Sequence, residues 1–288
     1  MPELPEVETI KRGLIDKIVN KKIKDIWIEP SFKKKISPSA RNFLGFLKGK
    51  QFRDVHRKAK LLIIEVNADN FVLVHLKMTG QLVYKPKNGK LVAGGHPIDN
   101  ISDLPNKFTR VSFSFSDGSR LFFNDVRKFG YLKLASKFEL EKAKDRFGVE
   151  PFEKEYTIEF FEEVLKRRPN RKIKDLLLDQ QLIAGLGNIY VDETCFVSKV
   201  KPQRLVKSLT KAEKQRLFDN AKAVMQKAIK HKGTSFSNYV NSEGNTGNFQ
   251  KYLQVYGRVG KPCLLCKTEL KKIKIAGRTS SYCPKCQK

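Results

Sequence analysis

The sequence lacks any apolar run near the ~20 residues that a membrane-spanning helix needs, and its beginning lacks the basic-then-apolar form of a signal peptide. Cysteine is also scarce, with five residues in 288. We therefore expect a cytoplasmic protein without membrane segments. In such a reducing compartment, cysteines serve as metal ligands or free thiols and not as disulfides.

Acidic residues are few relative to basic ones. The chain has 30 Asp and Glu against 58 Lys and Arg, which gives a formal net charge of +28. This excess favours a polyanionic partner, because basic side chains release counterions from phosphates. An anionic membrane surface or a lysine-rich proteome would also account for the charge, but nucleic acid is the favoured interpretation.

Apolar residues at the start of the chain recur three or four positions apart, as on the buried face of a helix. They are Leu4, Val7, Ile10, Leu14, Ile15 and Ile18. Pro5 suits the first turn of a helix, and Glu6 and Glu8 suit the positive end of the helix dipole. A well-capped N-terminal helix is the simplest interpretation of this stretch.

Residues 23–137 contain short runs rich in β-branched and aromatic residues, which predict β-structure. The clearest runs are 55–66, 71–76, 111–115 and 121–123. Residues 116–119 (Ser-Asp-Gly-Ser) predict a hairpin turn. Several short strands joined by turns predict a sandwich or a barrel, and the polar stretch 85–107 predicts a long loop.

Helical periodicity follows a charged segment at 139–156, which predicts a hinge between domains. The predicted helices cover 158–167, 173–180, 188–197 and 210–230. Thr210 and Glu213 have the spacing of a capping box. Residues 232–250 are rich in glycine, serine and asparagine without an apolar period, which is typical of a lid, a binding loop or a disordered segment.

Four of the five cysteines lie near the end of the chain in two Cys-x-x-Cys pairs. Cys263 and Cys266 are separated by sixteen residues from Cys283 and Cys286. This spacing predicts a tetrahedral zinc ion bound by four thiolates, with no open position and thus a structural role. Two disulfides are the alternative. Cys195 stands alone in a predicted helix, which indicates a packed small hydrophobe.

The first residues also have a chemical interpretation. A small second residue usually permits removal of the initiator Met, which would leave Pro2 with a free secondary amine. Its pKa in the α-amino range of about 7.7–8.0 leaves a useful unprotonated fraction at neutral pH. Such an amine can attack an electrophilic carbon, and the resulting iminium has no N–H to lose, so it remains a cationic electron sink. Glu3 could donate and accept the proton.

Residues 2–9 (Pro-Glu-Leu-Pro-Glu-Val-Glu-Thr) resemble the opening of bacterial formamidopyrimidine-DNA glycosylase, a bifunctional enzyme that removes oxidised purines from DNA. Five further segments are similar to this family and occur in the family's order. They are 57–60, 75–80, 125–130, 184–190 and 276–279. The resemblance therefore extends from residue 2 to the zinc-binding cysteines.

The resemblance implies roles for the candidate catalytic residues. Pro2 would attack C1′ of a flipped oxidised purine nucleotide, such as 8-oxoguanine or formamidopyrimidine, while Glu3 assists proton transfer. Glu6 would support the site through hydrogen bonds, and Lys60 would contact a DNA phosphate at the active site. A Schiff base would form, and β- and δ-elimination would then cut the strand on both sides.

The resemblance also implies DNA contacts. Flipping a base leaves a void opposite its former partner. Met78 would wedge into this void, Phe129 would intercalate, and Arg127 would hydrogen-bond the orphaned base. Asn188 and Arg278 would bind backbone phosphates. Without the resemblance, Met78 and Phe129 would be interpreted as ordinary core residues.

The implied fold is α+β: an N-terminal β-sandwich with a leading helix, a helix–two-turn–helix module and a C-terminal zinc-finger β-hairpin. The expected segments are 1–137 (catalytic sandwich), 138–155 (hinge), 156–231 (helical module), 232–252 (lesion-capping loop) and 253–288 (zinc finger). The implied cofactor is one structural Zn²⁺ with no organic cofactor. The implied partner is duplex DNA with oxidised purines or abasic sites, bound by a monomer.

The sequence departs from the family pattern at two positions, and it leaves two alternative functions open. Lys77 stands where the family more often has a small residue, and Lys128 where it often has arginine. A sister enzyme for oxidised pyrimidines is the nearest alternative. The other is a non-catalytic DNA-binding protein, which a retained Met1 would favour because the proline nitrogen would then be an unreactive amide.

Overall fold

The structure, a computed structural model, describes residues 2–89, 91–95, 103–234 and 248–288. The chain divides into two compact units. The first unit comprises Met1–Asp145 and His231–Gln250, and the second comprises Arg146–Lys230 and Lys251–Lys288. Among the described residues, no helix is both long and apolar enough to cross a bilayer.

The first unit combines three α-helices with ten strands in its described ranges. The helices are α1 (Leu4–Ile18), α2 (Ala40–Leu47) and α3 (Lys137–Lys144), and a 3₁₀ helix covers Pro30–Lys35. The strands are β1 (Ile23–Ile28), β2 (Ile36–Ser37), β3 (Asp54–Lys58), β4 (Leu61–Asn67), β5 (Asn70–His75), β6 (Gly80–Lys85), β7 (Val92–Gly95), β8 (Thr109–Phe115), β9 (Arg120–Asp125) and β10 (Tyr131–Ser136).

These strands form two five-stranded sheets, with the orders β1-β8-β9-β6-β7 and β2-β10-β5-β4-β3. The strand pairs are antiparallel except β2–β10, which is parallel. Buried side chains of both sheets belong to one core, to which β8 contributes Phe113 and β4 contributes Ile64. The predicted β-sandwich is therefore confirmed.

Helix α1 is fixed by the apolar stripe that the sequence predicts. Leu4, Val7, Ile10, Leu14 and Ile18 are at most 2 % exposed, and Ile15 is partly buried. The helix packs against β3, β4, β6 and β7, and thus against strands of both sheets. Core packing therefore determines where the first turn of this helix lies, because burying such a stripe supplies most of a helix's stability.

The run 55–66, predicted as β-structure, forms the hairpin β3–β4 with a turn at residues 59–60. The first unit differs from the sequence prediction in two places. Helix α2 interrupts the region predicted as β-structure; the Ser39 side chain caps it by accepting from the Asn42 N–H at 3.1 Å. The predicted loop 85–107 contains β7, which pairs with β6.

The second unit contains the helical module and the C-terminal hairpin. Its elements are α4 (Ile158–Lys166), α5 (Ile173–Leu177), α6 (Asn188–Val197), α7 (Lys211–Lys230), β11 (Lys271–Ile275) and β12 (Arg278–Tyr282). The bounds of α6 agree with the prediction. At α7, the Thr210 N–H donates to Glu213 Oε2 at 2.8 Å and the Glu213 N–H donates to Thr210 Oγ1 at 3.2 Å, which confirms the capping box.

Helix α5 ends earlier than predicted, at Leu177. Asp179 and Gln180 use their side chains to bond the turn that follows, where the Gln181 N–H donates to Asp179 Oδ1 at 3.1 Å. Such local side-chain bonds compete with helix continuation. The mixed architecture, with its sandwich, helical module and terminal hairpin, is the α+β class that the sequence predicts.

Candidate active site and DNA-binding residues

The start of α1 holds three candidate catalytic residues. Pro2 is buried, Glu3 is 2 % exposed and Glu6 is 8 % exposed. The Glu3 backbone N–H donates to Glu6 Oε2 at 2.9 Å, which satisfies a free donor of the helix start. The backbone next to Pro2 is therefore held both by the packing of the helix and by a carboxylate.

Glu6 also connects this helix to a distant part of the chain. Its Oε1 accepts from the Thr234 N–H at 2.7 Å and from Thr234 Oγ1 at 3.1 Å. Gly233, with φ +77°, lies so near that an added Cβ would be 2.7 Å from Glu6 Oε1. Thr234 pairs with Asn248 in an isolated bridge, while 235–247, most of the predicted lesion-capping loop, lie outside the described residues.

A buried ion pair joins α1 to the hairpin β3–β4. Arg57 Nε donates to Glu8 Oε2 at 3.0 Å, and Arg57 Nη1 donates to the Ala59 carbonyl at 3.0 Å. Burial acts to raise the pKa of Glu8, but hydrogen bonds from Arg12 and Arg57 outweigh it, and the net shift is downward. The turn that carries Lys60 is thus attached to the helix that carries Pro2.

Lys60 is 6 % exposed and lies directly before Leu61, whose register partner on β5 is His75. Burial and the charges of Lys77 and Lys60 together lower the pKa of His75 to about 3. The Lys77 N–H donates to His75 Nδ1 at 3.0 Å, so the neutral ring carries its hydrogen on Nε2. The three residues form a basic cluster with one neutral donor.

Two loops carry the residues predicted to fill the void, and we call residues 76–80 and 125–130 the void-filling loops. Arg127 Nη1 lies 3.1 Å from Met78 Sδ, and the Arg127 guanidinium lies 4.5 Å from the centroid of the Phe129 ring. Met78 is 41 % exposed and Phe129 is 45 % exposed. The two apolar side chains are therefore not core residues, and Arg127 contacts both of them.

The turn before α6 presents Asn188. Gly185 has φ +97°, a conformation that favours glycine. The Gln180 side chain organises this turn: its Oε1 accepts from the Gly185 N–H at 3.0 Å, and its Nε2 donates to the Leu186 carbonyl at 2.6 Å. Asn188 then begins the helix, and the N-terminus of a helix suits a phosphate.

Asn188 and Arg278 are connected within the second unit. Asn188 Nδ2 donates to the Thr279 carbonyl at 3.1 Å, and Thr279 follows Arg278. Ala276 and Gly277 have φ +47° and +72°, as in a two-residue hairpin turn of type I′. Arg278 is exposed directly after this turn, so the hairpin presents a guanidinium suited to a phosphate.

A buried ion pair fixes the hairpin to α6. Lys174 Nζ lies 2.7 Å from Asp192 Oδ1, and both side chains are 0 % exposed. Asp192 also accepts from Ser280 Oγ at 2.6 Å and from the Ser281 N–H at 2.9 Å. Lys174 Nζ additionally donates to the Thr279 carbonyl at 3.3 Å. The strand that carries Arg278 is therefore held by charged groups.

The four predicted zinc ligands converge. The Sγ atoms of Cys263, Cys266, Cys283 and Cys286 all lie within 4.8 Å of one another. Cys266 and Cys283 are 3.5 Å apart, and Cys263 and Cys286 are 3.9 Å apart. A Zn–S bond of about 2.3 Å implies sulfur separations of roughly 3.8 Å in a tetrahedron, so the residues fit one structural Zn²⁺. Cys195 is fully buried elsewhere in this unit, as predicted.

Several residues near the candidate sites received no role from the sequence. His75 and Asp125 lie inside segments that resemble the family, but their spacing gave no chemical signal. Gln180 bonds residues five and six positions away, whereas Asp192 and its partner Ser280 are separated by 88 positions. For Asp192 the sequence contains only a weak signal, namely an acidic residue within a predicted helix.

Comparisons with known proteins agree with these observations. Residues 1–132 match the formamidopyrimidine-DNA glycosylase N-terminal domain, and residues 147–240 match the H2TH domain of the same enzyme. Residues 260–288 match a zinc finger found in FPG and IleRS.

Individual proteins are similar over the whole length. A formamidopyrimidine-DNA glycosylase of Pelotomaculum thermopropionicum is 40 % identical, covering 100 % of this chain and 99 % of the relative. The Fpg of Lactococcus lactis in complex with DNA containing an abasic site is 34 % identical, with a TM-score of 0.88 and full coverage of both chains. MutM in complex with DNA containing carbocyclic 8-oxo-G is 34 % identical, with a TM-score of 0.86 and full coverage of both chains.

Proposed function

Because the chain belongs to the formamidopyrimidine-DNA glycosylase family, we propose that Pro2 is its nucleophile and Glu3 its proton-transfer residue. The chain is a DNA glycosylase of base excision repair for oxidised purines, and lyase activity at abasic sites is typical of this family. Its substrate is damaged duplex DNA, which implies that it works at the nucleoid in the cytoplasm.

The proposed reaction starts at the amine of Pro2. Its lone pair forms a bond to C1′ of the flipped nucleotide, and the bond from C1′ to the oxidised base breaks as Glu3 donates a proton to the departing base. The amine proton then passes to O4′ as the C1′–O4′ bond breaks, which opens the sugar and gives a cationic Schiff base. This electron sink promotes removal of the C2′ proton and departure of the 3′ phosphate, after which a second elimination releases the 5′ phosphate.

The observation that carries this proposal is the arrangement at the start of α1. Glu3 is 2 % exposed and adjoins Pro2, and Glu6 binds the Glu3 backbone with one oxygen and Thr234 with the other. Preorganised groups lower the cost of reaching the reactive geometry. Burial also shields a covalent intermediate from water.

The DNA-binding residues are proposed on geometry and charge. Arg127 contacts both Met78 and Phe129, and these two apolar side chains are partly exposed, as side chains that enter a DNA stack must be. Asn188 and Arg278 are joined through Thr279 and present donors suited to phosphates. In the first unit, Lys60 lies beside the neutral donor His75.

Substitution of the two N-terminal residues tests the proposal. Pro2→Gly keeps a small second residue but replaces the secondary amine with a primary amine, and we expect it to lose most strand cleavage at 8-oxoguanine. Glu3→Gln keeps the shape, and we expect a fall of roughly 10²–10⁴-fold, the typical contribution of a positioned proton-transfer group. Full strand cleavage by Pro2→Gly would show that the nucleophile is another residue.

Two controls accompany these variants. Both should retain wild-type affinity for a duplex with a stable abasic-site analogue, because neither change removes a proposed phosphate contact. A duplex that carries thymine glycol tests lesion choice, and the wild-type protein is expected to prefer 8-oxoguanine. A preference for thymine glycol would contradict the assignment to oxidised purines.

A further inference from the structure

We propose that Asp125 is a positioning residue that locks the two void-filling loops together, so that Met78, Arg127 and Phe129 enter DNA as one preassembled wedge. This inference rests on the proposed function of those three side chains. It assigns a task to Asp125 and to Thr79, neither of which contacts DNA in the account above.

The carboxylate of Asp125 connects both loops. Asp125 is the last residue of β9 and is 0 % exposed. Its Oδ1 accepts from the Thr79 hydroxyl in one loop and, at 3.2 Å, from the Arg127 N–H in the other. Its Oδ2 accepts from the Gly130 N–H at 2.7 Å. One buried side chain therefore binds two backbone N–H groups of the second loop and the Thr79 hydroxyl of the first.

Thr79 closes the connection. While its hydroxyl donates to Asp125, its oxygen accepts from the Arg127 N–H at 3.0 Å. The residue directly after Met78 thus bonds directly to the backbone of Arg127. Because Met78 Sδ and Arg127 Nη1 are also in contact, the two loops are joined through backbone and side chains.

Backbone geometry shows that the loops need such a connection. Lys77 and Lys128 have φ +51° and +56°, a left-handed conformation that is unfavourable for residues other than glycine. An added Cβ on Gly80 would lie 2.4 Å from the Leu76 carbonyl, and one on Gly130 would lie 2.6 Å from the Phe123 ring. The loops are strained and tightly packed, and the buried carboxylate offsets part of that strain.

Asp125 is held in turn by the sheet. It pairs in register with Gly80 at the end of the β6–β9 ladder, and its carbonyl accepts from Arg110 Nε at 2.8 Å. The wedge is therefore attached to a rigid sheet edge. A wedge that is ordered before DNA arrives does not lose conformational entropy on insertion, which favours the flipped state.

The test separates wedge insertion from chemistry. Thr79→Val removes the hydroxyl with little change in volume, and Thr79→Ser retains it as the matched control. Two substrates are compared: a duplex with 8-oxoguanine opposite cytosine, which opens a void, and a single strand with an abasic site, which has no opposing base. A fluorescent 2-aminopurine opposite an abasic analogue reports insertion directly.

We expect Thr79→Val to lower base excision from the duplex by roughly ten- to hundred-fold, since hydrogen bonds to a charged group are lost. Cleavage of the single-stranded abasic site should remain at the wild-type rate, and the 2-aminopurine response should weaken. Thr79→Ser should behave as wild type on both substrates. Asp125→Ala should show the same selective loss to a greater degree.

Three results would overturn the inference. Equal losses on both substrates would show a merely structural role. Wild-type duplex activity in Thr79→Val, while Phe129→Ala loses it, would show that the wedge works without the connection. Wild-type duplex activity in Phe129→Ala as well would refute the proposed void-filling function itself, and the inference with it.

Discussion

The buried ion pair between Lys174 and Asp192 allows a quantitative test of how the second unit holds the hairpin that carries Arg278. We consider Asp192→Asn, which keeps the size of the side chain and removes its charge. Lys174 would then be buried at 0 % exposure without a negatively charged partner. Breaking a buried pair by removing one partner typically costs about 3–5 kcal/mol, because an uncompensated charge stays buried.

Calorimetry of the purified protein measures this cost, with the unfolding transition of the second unit as the signal. Lys174→Met should be similarly destabilising, and the double variant should cost less than the sum of the single variants, since no lone charge remains. The matched control is Glu163→Gln. Its pair with Arg167 is almost as short, at 2.8 Å, but both side chains are half or more exposed, and we expect little change in unfolding temperature.

Loss of this pair should also affect DNA binding. Asp192 accepts from Ser280 and Ser281 on the strand that follows Arg278, so Asp192→Asn should weaken DNA binding although it contacts no phosphate. If Asp192→Asn lowered the free energy of unfolding by less than about 1 kcal/mol, the pair would contribute no more than a surface ion pair, which would contradict this prediction.

Three further predictions concern pH, metal and backbone strain. Because the pKa of His75 is about 3 in the folded protein and about 6.5 when unfolded, the unfolded chain binds more protons between these values. The free energy of unfolding should therefore fall as the pH drops from 6.5 towards 3, by at most about 1.4 kcal/mol per pH unit. Urea titrations at several pH values should show a weaker pH dependence of this free energy for His75→Gln. Cys266→Ser should lose the bound Zn²⁺ and with it DNA binding, while Cys195→Ala should keep one Zn²⁺ per chain by elemental analysis. Lys77→Gly should raise the free energy of unfolding by about 1 kcal/mol, because glycine accepts the positive φ. A lower free energy of unfolding in this variant would contradict the claim that the backbone at Lys77 is strained.

Local sequence patterns predicted those elements whose signals are local. The apolar stripe of α1, the capping box at Thr210 and the spacing of the four cysteines each depend on residues near one another in the sequence. The physical causes are helical periodicity, satisfaction of free N–H groups and the geometry of a metal ion. These elements appear in the structure as predicted.

Helix α2 shows where such patterns were insufficient. It lies among strands, and its eight residues bury Phe43 and Leu47, four positions apart. A segment this short has little intrinsic helix stability, so packing against the sandwich decides its conformation. The Ser39 cap was the signal available in the sequence.

Contacts between distant segments could not be predicted from the residues alone. Glu6 and Thr234 are 228 positions apart, and Asp125 binds Thr79 across 46 positions. Nothing in the spacing of these residues reveals the partner, because the fold brings them together. The resemblance to the family predicts which side chains meet DNA, whereas the structure shows the hydrogen bonds that buried groups make to the segments carrying them.

Borohydride trapping on a duplex with 8-oxoguanine opposite cytosine tests the central claim most directly. Reduction converts the Schiff base into a stable cross-link, and mass spectrometry of the digested complex locates it. We predict that the DNA is attached to Pro2 as the first residue of the mature chain, with Met1 absent. A cross-link to a lysine, or rapid base excision without any cross-link, would contradict the assignment of the nucleophile.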